Sequence, residues 1–262
     1  MAHFLRLLRR KLIPEGKLTR YVLYAVGEIT LIVIGIGIAV NVSNYSEEKK
    51  ALKQSNKFLE GMVEDLASDT LQLDRMLKQL EAQLANEQWL IDKRSFNVDD
   101  IDSIKLAASS IKWTFRINDR SFQNIQSSNG SKLFGYDLLY TNISKYYLVM
   151  GNRIEQNNEL EYLHTVKADP FQHLISNNLL LETREYQDYT GFAVSIKDVK
   201  NTNITENKNE VITHLTDIDI QNSIKDKFSR HNYLFLSLMI CNVDAKALLK
   251  HINHTMQLNS QD

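Results

Sequence analysis

The chain begins with a polar leader, becomes apolar for one stretch, and is then amphipathic over long segments. Residues 21–40 form a twenty-residue apolar run that contains a single charge, Glu28. A helix of this length spans about 30 Å, the thickness of the hydrocarbon core of a bilayer. The pattern predicts a transmembrane helix over residues 21–42, preceded by a leader of residues 1–20.

A seven-residue repeat of leucines follows the apolar run. Two rows define it: Leu52, Leu59, Leu66, Leu73 and Leu80 form the first, and Val63, Leu77 and Leu84 belong to the second. This spacing is typical of a coiled-coil seam and predicts one long helix over residues 43–94. Extended backwards, the second row includes Glu28 and Gly35, so the span and the outer helix can form one continuous helix.

The heptad face has two interpretations. In a parallel dimer, the flanking positions would place Asp69 against Asp74, and two carboxylates repel each other. Met62 and Met76 also widen the apolar stripe, which is typical of a helix packed inside its own bundle. We therefore favour packing within the chain, while self-association through this face stays open.

The remainder, residues 95–262, also has mainly helical periodicity, and only nine glycines and two prolines interrupt the whole sequence. Helices are predicted over residues 136–166 and 224–256, with a connection over 95–122 and an exposed loop over the polar residues 199–211. The apolar stretch 233–241 is too short to span a membrane and is interpreted as core. The apolar side of the helix over 136–166 is predicted to include Leu138, Leu139, Ile143, Tyr146, Tyr147 and Met150.

The predicted fold class is therefore mainly α: an N-terminal transmembrane helix followed by an α-helical bundle with a long heptad-patterned first helix. A basic leader before an apolar run is also typical of a secretory signal. The run is longer than the usual 7–15-residue signal core, which favours a retained anchor.

The distribution of charge predicts the topology. The net charge is −1, so the composition gives no reason to expect a nucleic-acid partner. The basic residues before the span outnumber the single acid there, Glu15; they are Arg6, Arg9, Arg10, Lys11, Lys17 and Arg20. The more basic flank stays in the cytoplasm, which predicts that the N-terminus is inside and that residues 43–262 lie outside the inner membrane.

The leader has an amphipathic pattern of its own. Apolar residues fall on one helical face, with Arg6, Arg9 and Arg10 largely on the other, and Lys11 adds a further basic residue. Such a helix can lie on an anionic membrane surface, where each basic residue contributes about 1 kcal/mol. The alternative is that these charges only set the topology.

Glu28 is an unusual residue for a membrane span because an ionised carboxylate is costly there. Gly35 and Ala39 lie on the same helical face and form a small-xxx-small pair that allows close approach of a second helix. We expect Glu28, Gly35 and Ala39 to form a helix–helix contact, with a second copy or with another membrane protein. The alternative is that Glu28 extends toward the near headgroups without a partner.

No motif indicates catalysis, a cofactor or a metal. His251 and His254 have a spacing that can bind a metal, but no third ligand lies nearby in sequence, and a polar helix end is the simpler interpretation. Ser109 and Lys112 match S-x-x-K without the partner motifs of acyl-enzymes. We expect no catalytic, cofactor or metal residues, and a small-molecule ligand stays unknown.

Three blocks of sequence resemble a known family. They are Tyr24–Ile29 (Y-A-x-G-E-I), Asn41–Glu47 (N-x-x-N-Y/W-x-E) and Met62–Asp69 (L-x-x-D-L-x-x-D), with Met62 in place of leucine and Tyr45 in place of the usual tryptophan. The chain resembles an uncharacterised domain-of-unknown-function family of single-span inner-membrane proteins from Bacteroidota. The resemblance implies a mostly helical membrane protein and supplies no catalytic residues.

The function expected from these patterns is non-enzymatic. We expect a scaffold or accessory subunit of an envelope complex, with the lipid bilayer and a homo-oligomeric or membrane-protein partner. The alternative is a periplasmic helical bundle that senses a ligand and signals through a partner protein. An enzyme is the third reading, because paired catalytic groups are missing.

Overall fold

The computed structural model describes residues 17–109, 112–127, 133–166, 169–179 and 204–259, and within these ranges the regular structure is helical without a strand. A short 3₁₀ turn, Val98–Asp100, precedes the second α-helix. The α-helices are α1 (Lys17–Asp92), α2 (Ile101–Ala107), α3 (Arg120–Ser127), α4 (Asp137–Val166), α5 (Pro170–Asn178), α6 (Ile204–His214) and α7 (Ile218–Asn259). The mainly α fold class, with a long N-terminal helix followed by a helical bundle, is confirmed.

Two compact units divide the chain. Among the described residues, the first comprises those from 17 to 57 with 133–135, and the second comprises those from 58 to 127 and from 136 to 259. In the first unit, every residue from 21 to 50 is exposed. Gly135 has φ +79°, and a Cβ atom built there would lie 3.2 Å from Leu52 Cδ1, so glycine suits both the left-handed backbone and the close contact.

The second unit contains an antiparallel helical bundle. Its α4 and α7 run in opposite directions, since Tyr146 contacts Cys241 while Asn157, further along α4, bonds to Ser237. Residues 58–92 of α1 also run antiparallel to α7. Asp74 pairs with Lys246, and Glu87 pairs with His231.

The core of this bundle follows helical spacing on each helix. Leu59, Leu66, Leu73 and Leu80 of the first heptad row have no exposed surface. These leucines are therefore covered by residues of their own chain. Leu234, Leu238 and Cys241 of α7 are buried as well, so one face of residues 233–241 belongs to the core. The other face of this stretch is exposed, at Tyr233, Leu236, Met239 and Ile240.

A second apolar cluster joins the shorter helices and corrects one prediction. Residues 199–211 were expected to form an exposed loop, but α6 begins at Ile204. Val211 and Leu215 are fully buried in a cluster with Phe171 and Ile175 of α5. The polar composition misled the prediction, because a helix needs only a few apolar residues on one face when that face meets a neighbouring core.

Three further boundaries differ from or refine the predictions. The helix predicted over 136–166 is found at Asp137–Val166, but Leu138 is 85% exposed and does not belong to its apolar side. The last helix begins at Ile218, six residues before the predicted start at 224. Pro170 begins α5, and Asp169 caps this helix by accepting from the Gln172 N–H at 3.1 Å.

Candidate functional site

An extended segment, residues 112–119, crosses the bundle with its backbone held by side chains instead of by another strand. Its residues alternate between buried and exposed, with Trp113, Phe115 and Ile117 directed inward. Asn158 of α4 bonds both backbone groups of Phe115: Oδ1 accepts from the N–H at 3.1 Å, and Nδ2 donates to the carbonyl at 2.7 Å. Side-chain bonding of this kind satisfies backbone groups that a sheet would otherwise pair.

Two aspartates of α1 hold the other end of this segment. Asp69 accepts from the Asn118 N–H through both carboxylate oxygens, at 3.2 and 3.0 Å. Asp65 accepts from the Ser121 N–H at 2.9 Å, in the first turn of α3. Spaced four residues apart, the two carboxylates lie on one face of α1 and position the start of α3.

Gly61 completes this face one turn before Asp65. A Cβ atom built on Gly61 would lie 2.8 Å from Ser121 Oγ, closer than real Cβ contacts allow. The absence of a side chain therefore lets the first turn of α3 approach α1. Gly61, Asp65 and Asp69, at intervals of four residues, form what we call the docking face for residues 112–121.

A second polar group is buried further along α1. Glu87 Oε1 accepts from Gln83 Nε2 at 2.8 Å and lies 2.7 Å from His231 Nδ1. Glu87 and His231 are each 1% exposed. Trp113 packs edge-to-face on the His231 ring, with 6.4 Å between centroids.

Lys227 and Gln83 anchor the end of α2 to this group. Both side chains donate to the Ala107 carbonyl at 3.1 Å, and Lys227 Nζ also donates to the Ser109 carbonyl at 2.7 Å. Desolvation lowers the pKa of Lys227, while the nearby Glu87 carboxylate raises it. Lysine and glutamine thus satisfy carbonyls that the short helix leaves without partners.

These polar groups hold structure together and have little access to a substrate. A carboxylate–histidine pair can act as an acid–base couple, but it must reach the reacting group. Both members of the Glu87–His231 pair are almost fully enclosed. The pair connects α1 to α7 inside the bundle. Within the described ranges, no cluster of three or more His, Cys, Asp or Glu residues is arranged to hold a metal ion.

Sequence reasoning missed these buried groups, although the heptad frame contained a signal. Glu87 follows Leu80 by seven residues and so continues the fully buried leucine row. Asp69 and Gln83 lie in register with Met62 and Met76, which had been interpreted as a widened apolar stripe. Polar residues at core positions of a helix need partners, so these three positions could have been identified as candidates.

Asp69 and Asp74, the two carboxylates whose repulsion argued against a parallel dimer, both accept hydrogen bonds within the chain. Asp69 bonds to Asn118, whereas Asp74 accepts from Lys246 Nζ at 2.7 Å and from Asn242 Nδ2 at 2.7 Å. The lysine and asparagine hydrogen bonds lower the pKa of Asp74. Each carboxylate therefore has a partner in the bundle.

The predicted membrane residues lie in the exposed part of α1. Glu28, Gly35 and Ala39 are exposed, and nothing lies within 4 Å of a Cβ atom built on Gly35. The second heptad row is half-buried at Val63, Leu77 and Leu84, as is Leu52 of the first row. The predicted surface-binding residues of the leader, Arg6, Arg9, Arg10 and Lys11, lie outside the described residues.

Comparison with protein families gives a match over residues 28–182, to a family of unknown function (DUF6090). The match covers more than half of the chain. The chain belongs to this family. No curated protein and no solved structure matches it.

The region matched by the DUF6090 family contains the whole of the docking face but only one member of the buried Glu87–His231 pair. It includes Gly61, Asp65 and Asp69 together with residues 112–121, so the docking face and the segment it binds both lie inside the match. For the buried pair, Glu87 lies inside the match and His231 lies beyond it. The docking face is thus a feature of the DUF6090 region itself.

Within the described part of this DUF6090 chain, two helices are long and apolar enough to cross a membrane by length and composition. They are the described part of α1 from Tyr21 onward and the part of α7 from Ile218 to Leu258. The apolar window of α1 is 0% buried, whereas that of α7 is 39% buried. The bundle thus covers part of the apolar window of α7, whereas that of α1 has no such cover.

Proposed function

We propose that this protein is a single-span protein of the bacterial inner membrane, of the Bacteroidota type, with a cytoplasmic N-terminus and residues 43–262 in the periplasm. It acts without catalysis, as a scaffold or accessory subunit of an envelope complex. Its contacts are helix–helix contacts made with a second copy or with another membrane protein.

The observation that carries this proposal is the complete exposure of an apolar helix. Every residue from 21 to 40 is exposed, and large side chains such as Ile34 and Ile36 have 48% and 59% of their surface free. An apolar surface of this extent is unfavourable in water and favourable in hydrocarbon. The helical backbone also satisfies its own hydrogen bonds, as a bilayer requires.

Topology is tested with the full chain carrying a C-terminal reporter that is active only in the periplasm. We expect activity in the membrane fraction that survives an alkaline wash. Replacement of Arg6, Arg9, Arg10 and Lys11 by glutamine should reduce it, because these charges hold the N-terminus inside. A shortened, soluble product would instead indicate a cleaved signal, and an inactive reporter would indicate the opposite topology.

The membrane contact is tested by crosslinking in intact cells. Substitution of Gly35 or Ala39 by leucine should remove close helix approach, and Glu28→Leu should remove the polar contact. Gly37→Leu is the matched control, because Gly37 lies on the opposite helical face from Glu28. Crosslinked products that survive all three substitutions, or that are lost equally in the control, would contradict a contact through this face.

The crosslinked partner distinguishes the two forms of the proposal. Two differently tagged copies that co-purify in the wild type indicate a homo-oligomer. A stoichiometric membrane partner without the second tagged copy indicates an accessory subunit.

A groove between α4 and α7 favours the second candidate, a ligand-sensing bundle. It is open to solvent and combines apolar residues, including Val149 and Leu248, with the polar residues Lys145, Asp244 and His251. Stabilisation of the full chain against heat by fractions of a metabolite pool, lost in Val149→Trp, would support sensing; unchanged thermal stability in every fraction would count against it.

A further inference from the structure

Asp69 is a buried carboxylate whose hydrogen-bond donor in the described structure is a backbone N–H. Its side chain lies between α1 and residues 112–119, and the residue is 2% exposed. The donor is the N–H of Asn118, at 3.2 and 3.0 Å from the two oxygens. The contact that fixes the extended segment therefore depends on a carboxylate removed from water.

Two further carboxylates act on Asp69 directly. Asp65 and Asp119 are carboxylates close enough to disfavour its ionised form. The phenols and the thiol that face it from the other helices can only lose a proton; they are Tyr146 and Tyr147 of α4 and Cys241 of α7. Burial raises the pKa of the Cys241 thiol to about 11, and Arg153 of α4 acts on that thiol in the opposite direction.

These surroundings explain the acid–base behaviour of Asp69. Burial is the main cause and raises the pKa of Asp69 from 3.8 to about 6, opposed by the Asn118 hydrogen bond and reinforced by Asp65 and Asp119. An aspartate released to water would return to its ordinary pKa. Asp69 therefore binds a proton more tightly when the segment is docked than when it is undocked.

We propose that the docking of residues 112–121 on α1 takes up a proton at Asp69, so that this contact tightens as the surroundings become more acidic. The segment would be held more loosely at neutral or alkaline pH. The docking face then acts as a pH-responsive contact inside the bundle. The inference is independent of the proposed membrane function.

The direction follows from linkage. Asp69 binds protons more tightly in the docked state, so a fall in pH from 8 through 6 favours docking. With pKa values of about 6 docked and 3.8 undocked, the docking equilibrium at pH 5 should exceed that at pH 8 by about tenfold. The gain is lost as pH rises above the pKa of the docked state.

Hydrogen exchange of the full chain in lipid nanodiscs tests this proposal. Amides in the peptide covering residues 112–127, which include those of Asn118 and Ser121, should show about tenfold greater protection at pH 5 than at pH 8. Rates are corrected for the intrinsic pH dependence of exchange. A peptide from the core of α7 reports global opening and serves as the internal reference.

Two variants complete the test. Asp69→Asn keeps an acceptor and cannot ionise, so its protection should not depend on pH. Asp74→Asn, on the same helix but outside this cluster, should keep the wild-type response. If Asp69→Asn fails to fold, the wild-type profile decides alone: a midpoint near pH 6 supports the proposal, and a midpoint below 4.5 or a change under twofold overturns it. An equal response in a folded Asp69→Asn also overturns it.

Discussion

The two regions of α1 share one heptad frame but have opposite surroundings. Residues 21–50 are exposed on every side, whereas Leu59, Leu66, Leu73 and Leu80 are fully buried. Each region also carries a glutamate on the frame, Glu28 in the first and Glu87 in the second. A repeat of apolar positions thus specifies a helix with an apolar face. Whether that face is buried depends on which other parts of the chain pack against it.

Burial also changes what a polar residue does. Glu87 contacts His231 inside the bundle at 2.7 Å, and this pair connects helices that are far apart in sequence. The carboxylate of Glu28 lies on an exposed apolar surface, where a partner would have to come from outside the described chain. In our proposal, that partner is another membrane helix.

The largest effect is expected from removing one member of the buried pair. His231→Leu should lower the free energy of unfolding by about 3–5 kcal/mol, because Glu87 would remain buried without its partner. The matched control is His214→Leu, since His214 lies 2.7 Å from Asp217 in an exposed pair and should change stability little. Chemical denaturation of the full chain in micelles measures both, and equal losses would contradict the role of burial.

A double substitution sharpens this prediction. Glu87→Leu with His231→Leu removes both polar groups, so it should cost less than the sum of the two single substitutions. Additive losses would show that the two side chains do not depend on each other.

The next effect compares two leucines two residues apart on α1. Leu73 is 0% exposed and Leu71 is 54% exposed. Leu73→Ala should destabilise the bundle by about 2–5 kcal/mol, since it leaves a cavity in the core. Leu71→Ala should stay within about 0.5 kcal/mol. Denaturation midpoints of the two variants measure the difference, and a larger loss at Leu71 would contradict the assigned core face.

The smallest effect is expected when alanine replaces one of two glycines, and it tests the close approach of α3 to α1 at Gly61. Gly151→Ala should stabilise α4 by about 0.5–1 kcal/mol, because alanine favours a helix and nothing lies within 4 Å of the new Cβ atom. The stabilisation from Gly61→Ala should be about 1 kcal/mol smaller, because its new Cβ atom would clash with Ser121 Oγ.

The Ser121→Ala background provides the control for this comparison. Loss of the hydroxyl removes the contact, so Gly61→Ala should then approach the gain seen for Gly151→Ala. Thermal unfolding measures all four variants, and a deficit at Gly61 that persists without the Ser121 hydroxyl would contradict the steric explanation.

The sequence predicted the helical class and the long helices well, since both follow from local periodicity. The helix predicted over 136–166 is found at Asp137–Val166, and α1 is continuous from Lys17 to Asp92. The prediction was wrong for residues 204–211, which form part of α6 because Val211 packs into a distant core. It was also wrong for Leu138, which has helical spacing but lies off the covered face.

By itself, the sequence determined a long apolar helix, a heptad frame and a helical chain, because each depends on residues a few positions apart. Only the tertiary structure decided which polar residues meet. Glu87 and His231 are 144 positions apart, and Asp69 and Asn118 are 49 apart. No local pattern encodes such pairs, because they arise when packed helices bring buried polar groups together and each group must find a hydrogen-bond partner.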